Sequence, residues 1–153
     1  MKFVVRFAFV LLVISCNNSN TNTDSTKTTE SVSDTLMHDI LKQHDAGMAK
    51  MNKITETKSR IQQDLDSLAK LPTDLQNKSV QYRMELDSVF NRLTFADRHM
   101  ETWMNEFNMD SLKDNKEDQV KYLQSEKTKI SQVTEEMTMS LQKADSALKK
   151  KVN

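Results

Sequence analysis

The chain has 153 residues, with 22 Lys and Arg against 22 Asp and Glu, and a single glycine, proline and cysteine. That length suits one domain, and the charge balance gives no overall field to attract nucleic acid or an acidic partner. The scarcity of glycine excludes all-β folds, α/β folds and phosphate-cradling loops, while 29% charged and 6% aromatic residues fit long amphipathic helices with solvated outer faces.

Residues 1–15 read as a signal peptide. Lys2 and Arg6 form a short basic start, and residues 7–14 are apolar but far short of the roughly 20 residues that span a bilayer. Val13-Ile14-Ser15-Cys16 resembles a bacterial lipobox. That resemblance implies cleavage before Cys16, then acylation of its thiol and new amino group with palmitate-type chains. Each buried CH₂ of such chains contributes about 0.8 kcal/mol to membrane attachment. Asn17 stands where an Asp would retain the protein at the inner membrane, so the outer membrane is the expected location, its periplasmic or surface face open. Residues 17–33 hold one apolar residue, Val32, and are expected to be a disordered tether. Asp24-Ser25-Thr26, Asp34-Thr35-Leu36 and Asp110-Ser111-Leu112 resemble an O-glycosylation triplet, a pattern that Asp/Ser-rich helices also produce freely.

Three helices are expected over residues 34–153, at about 34–70, 74–107 and 116–150. The first has one seam at Met37, His44, Met51, Lys58 and Leu65, and another at Ile40, Gly47, Ile54, Ile61 and Leu68, with Leu41 and Met48 widening the stripe. Gly47 costs about 1 kcal/mol against Ala in a helix, so it either admits a bulky neighbour or weakens the helix locally. Pro72 marks a turn, and Thr73-Asp74-Leu75-Gln76 matches a capping box.

The central helix organises the rest. Leu75, Tyr82, Leu86, Val89, Leu93, Ala96, Met100, Trp103 and Phe107 run in steps of four and three once Ser79 fills the first gap. The last helix, capped by Asp114 or Asn115, carries Val120, Leu123, Ile130, Val133, Met137, Leu141, Ala144 and Leu148. Short turns make neighbouring helices antiparallel, giving an all-α three-helix antiparallel bundle of coiled-coil type. Equal helix lengths place Leu93 near Ile130, Val89 near Val133 and Leu86 near Met137.

This packing gathers His38, His44 and His99 at one end with Met37, Met48, Met51, Met100, Met104, Met109 and Trp103. Imidazole and thioether together suit a soft metal such as copper, and methionine-rich surface suits adaptable binding of small ligands or peptides. The plain alternative is methionine filling an irregular core. The possible ligand set is His44, Met48, Met51, Met100, Met104 and Trp103, with His44 expected on the seam, touching Met100 and satisfied by Thr102, His99 or a water. No Glu-x-x-His pair for a di-iron site occurs, and the two His-Asp pairs lack the further His and Asp of metal phosphohydrolases. No catalytic residue and no obligate cofactor are expected.

Met37-His38-Asp39, followed by His44-Asp45-x-x-Met48-x-Lys50-Met51, resembles a group of small bacterial lipoproteins, some labelled "viral A-type inclusion protein". Ala96, Met100, Trp103, Met104 and Phe107 match a second motif of the group, and Tyr122, Leu123, Glu126, Lys127 and Ile130 a third. The resemblance covers most of residues 36–148 and implies no established activity. The expected function is a membrane-anchored, non-catalytic binding or interaction module of the envelope, with an envelope protein as partner. Soft-metal or small-ligand binding is the alternative.

Overall fold

The structure, a computed structural model, describes residues 22–150. The segment expected as a signal peptide, and Cys16, lie outside the described residues. Four helices follow one another: α1 (Asn22–Ala69), α2 (Thr73–Lys78), α3 (Val80–Glu106) and α4 (Lys116–Lys149), with no strand among the described residues. The protein is an all-helical bundle.

α1 begins at Asn22 rather than at Asp34, so the segment expected as tether is helical from Asn22 onward. No glycine or proline lies between Asn22 and Ser33. A helix nucleated by the packed part of α1 therefore meets no breaker, and each added residue gains a backbone hydrogen bond. Further along, Leu36, Ile40, Gly47, Ile54, Ile61 and Leu68 are buried. Leu41 and Met48, expected to widen the stripe, are exposed.

The first connection differs from the capping box. Pro72 holds the cap position of α2 and no side chain caps it. Gln76 instead turns backwards, donating Nε2–H to the carbonyls of Ala69 and Leu71 at 3.0 and 2.7 Å. Those carbonyls belong to the last residue of α1 and to the turn after it, where intrahelical partners run out. The expected central helix is broken at Ser79, which is buried and donates its hydroxyl to the Gln76 carbonyl at 3.0 Å. Leu75 lies before the break and is 45% exposed, so the seam starts after it.

From there the seam is as read. Leu86, Val89, Leu93, Ala96, Met100 and Trp103 are all buried on α3. α4 is capped by Asn115, whose side chain accepts from the Asp118 amide, and Glu117 and Asp118 occupy its positive end. Leu123, Ile130, Met137, Ala144 and Leu148 face inward. Side chains with no exposed surface, such as Ile54, Leu93 and Ile130, each contribute about 1.5–3 kcal/mol by leaving water.

α1, α3 and α4 each pack on the other two. Lys58 meets Asp97, His99 meets Glu136, Lys127 meets Asp39 and Lys150 meets Glu85. Numbering thus rises together along α1 and α4 and in opposition along α3. The register differs from the expected one. A Cβ built on Gly47 would collide with the Met100 Cε methyl and stand 3.6 Å from Met137 Sδ, so Met137 lies level with Met100 rather than with Leu86.

The cause is the second connection. The chain does not fold straight back after α3, and Leu112 takes a left-handed conformation (φ 59°). α4 starts beyond the end of α3, so Trp103 pairs with Glu126, well inside α4. The bundle therefore has a base, where three helices run together, and a head. In the head, Ser33, Asp34 and Met37 of α1 face Gln119 and Leu123 of α4 across a cleft, with Met109 and Asp110 of the connection beside them.

Candidate functional site

The head carries an open groove of about 750 Å³. Leu41 and His44 come from α1, Trp103 and Met104 from the last turn of α3, and Phe107, Asn108, Met109 and Asp110 from the connection. The connection is pinned at its start. The Asn108 amide donates to the Tyr122 hydroxyl at 2.9 Å, and the Asp110 amide to the Asn108 side-chain oxygen at 2.9 Å.

One wall is made by His44, Trp103 and Phe107, and Tyr122 extends their row of rings behind it. His44 lies 5.9 Å from Trp103, Trp103 stacks on Phe107 at 4.8 Å, and Phe107 lies parallel to Tyr122 at 6.3 Å. Such spacing lies in the favourable range for aromatic pairs. Trp103 is also fixed at its polar edge, where its indole N–H donates to Glu126 Oε2 at 3.0 Å. Lys129 donates to the other oxygen of Glu126 at 2.8 Å. Glu126 is 4% exposed, so these two bonds are what makes a carboxylate tolerable there. The hydrogen bond to Glu126, and then its charge, hold the Lys129 ammonium above its ordinary pKa.

Glu126 was not among the candidates read from the sequence. The clue was its position. It fills the seven-residue gap between Leu123 and Ile130, where the four-three alternation demands an inward residue.

The six sequence candidates are not brought together. His44, Trp103 and Met104 share the groove. Met100 is fully buried, its methyl filling the space above Gly47. Met51 is half-buried against the core, and Met48 is 39% exposed and outside the groove lining. His44 is not the buried seam imidazole that was expected. Its side chain is 27% exposed, and Nδ1 lies 3.2 Å from Asp45 Oδ1 rather than against Thr102 or His99. Gly47 takes the innermost place at this level, which leaves His44 on the flank, near the open head.

The other histidines go their own ways. His38 is exposed, 3.8 Å from Asp39, and His99 pairs with Glu136 at 2.8 Å while its ring packs on Phe95 at 3.9 Å. Among the described residues, no group of three or more His, Cys, Asp or Glu is placed to hold a metal ion. Met109, by contrast, joins His44 and Met104 in the groove.

Compared with known protein families, curated proteins and solved structures, the chain matches none of them.

Proposed function

We propose that this protein is a lipid-anchored envelope lipoprotein whose domain, an up-down-up three-helix antiparallel bundle, serves as a non-catalytic binding module. The head groove is its binding surface. The observation that carries this reading is the contrast within the groove. Its ring wall is fixed by stacking and by Glu126, while Leu41, Met104 and Met109 on its rim keep 43, 36 and 55% of their surface in water. Large apolar side chains left exposed around a concave site mark binding surfaces, and thioethers adapt to a partner's shape.

Anchorage rests on the leader that ends at Cys16 and on the likeness to small lipoproteins. None of the described helices is long and apolar enough to cross a membrane. In this reading the acyl chains on Cys16 supply the attachment. Replacing Cys16 by Ala should abolish labelling by a fatty-acid analogue and move the protein to the soluble fraction. Unchanged labelling and membrane recovery would defeat the anchor.

The binding role is tested with a photo-crosslinking residue at Leu41 or Met109 in intact cells, beside the same residue at Gln142 in the base. A defined adduct from the groove positions alone is expected. Equal adducts from all three positions, or none from the groove, would remove the groove as the surface.

A further inference from the structure

Taking the head groove as the binding surface, we propose that it holds a soft monovalent cation of the Cu(I) class through His44, Met104 and Met109, against the face of Trp103. Three elements contribute one soft donor each: α1 gives an imidazole, the end of α3 a thioether, and the connection another thioether, beside the oxygen-bearing side chains of Asn105, Glu106, Asn108 and Asp110. Imidazole with two thioethers favours soft cations over calcium or magnesium, which take oxygen donors alone.

Two details of the site support it. First, His44 Nδ1 faces Asp45 Oδ1 at 3.2 Å. With the proton on Nδ1 donated to this carboxylate, Nε2 keeps its lone pair for a ligand. A carboxylate behind the imidazole is the usual companion of a metal-ligating histidine. Second, the indole of Trp103 is locked by Glu126 with its ring 5.9 Å from that of His44. A cation held by His44 would meet the negative face of the indole, which attracts positive charge. The set differs from the one read from the sequence. Met100 belongs to the core and Met48 lies outside the groove, whereas Met109 arrives only through the path of the connection.

The test uses the full chain, solubilised in detergent and free of tags. It is titrated with Ag(I), and with Cu(I) under reductant against a competing chelator. Trp103 is the only tryptophan, so its emission reports on the groove. One equivalent should bind with quenching of that emission. His44→Leu, Met104→Leu and Met109→Leu should each weaken binding by about tenfold or more, and Asp45→Asn by about 10–100-fold. Met84→Leu, at a still more exposed methionine in the base, should change nothing. Met104 and Met109 are surface residues, so these variants fold, and far-UV circular dichroism checks it. Failure to retain one equivalent, binding without a change in emission, or equal loss from Met84→Leu would overturn the proposal. A groove that cross-links a protein in cells yet takes no metal would keep the binding module and dismiss the cation. Metal uptake without an adduct would do the reverse.

Discussion

In the base of the bundle, Ile54, Ile61, Leu86 and Leu93 are sealed from water by three helices. In the head α3 ends at Glu106, and Trp103 of its last turn stacks on Phe107 of the connection, which lies parallel to Tyr122 of α4. The base is held by non-directional burial of aliphatic side chains. The head is held by directed contacts: ring stacking, an indole bonded to a buried carboxylate, and a loop amide on a tyrosine hydroxyl. The first arrangement stabilises, and the concavity it leaves beside Met84 and Met139 is lined mostly by polar and charged side chains. The second yields less burial but leaves a shaped groove.

That contrast can be broken by substitution. The largest loss belongs to the base: Leu93→Ala should cost about 2–5 kcal/mol in chemical denaturation, since three packed helices cannot close over the cavity. A cost as small as that of a surface change would show that the base is not the stabilising half. Next comes the directed bond in the head. Trp103→Phe keeps a ring in the stack but removes the N–H that Glu126 accepts, and should cost about 1–3 kcal/mol. Adding Glu126→Leu to Trp103→Phe should restore part of that loss, because the buried carboxylate is then gone and Lys129, 54% exposed, turns to water. Thermal melts that add independently would mean the two side chains do not depend on each other.

Gly47 sits at the border between the two regions and should respond weakly. Gly47→Ala gains about 1 kcal/mol of helix propensity. It also displaces the Met100 methyl, the free end of a flexible side chain. The two effects should nearly cancel, and the gain should emerge once Met100→Ala has cleared the space. If Gly47→Ala stabilises equally with and without Met100, the methyl does not occupy that site.

The smallest effects are electrostatic, and both lie in the head. The Lys127 ammonium, 2.6 Å away, holds the Asp39 carboxyl below its ordinary pKa. A lowered carboxylate stabilises above the ordinary value of about 3.9, and that contribution fades as pH falls through the folded-state value. Asp39→Asn should therefore flatten the acid limb of a melting-temperature profile slightly. Lys129 behaves in the opposite sense, its raised pKa contributing below about 10.4 and fading as pH rises through the folded value. An acid limb identical in wild type and Asp39→Asn would mean that the Lys127 pair is absent in solution.

The seam of α3 was legible because its steps of four and three leave little choice of inward face, and every member from Leu86 to Trp103 is buried. Leu75 was misplaced because the count ran through Ser79, where the backbone breaks. The capping box failed for a local reason: Pro72 takes the cap position and Thr73 is already helical, and Gln76 donates to the Ala69 and Leu71 carbonyls instead of accepting from the cap amide. Register between helices was not legible at all. It depends on how far the second connection travels before α4 begins, and nothing in an apolar pattern encodes the turn at Leu112. The candidate site shared that fate. The sequence placed His44, Met104 and Trp103 at one end of the molecule, where the groove lies, but included Met100 and Met48, because helix spacing gives a level and an approximate face, not the exposure left by a neighbour that ends early. Buried Glu126, Thr134 and Ser140 were overlooked because apolar counting passes over polar residues on a seam.

The methionines stand on both sides of the surface, and this divides them chemically. Met100 and Met137 are closed to solvent, whereas Met84, Met104, Met109 and Met139 are not. An oxidant such as hydrogen peroxide would reach the second group first, turning thioethers into polar, chiral sulfoxides. In the base that change would fall on side chains outside the sealed core. In the groove it would convert the rim from apolar to polar and blunt the sulfur donors of Met104 and Met109, while the core beneath kept its packing. Oxidation would thus change the surface of the head before it unfolded the bundle, and reduction of the sulfoxides would restore it.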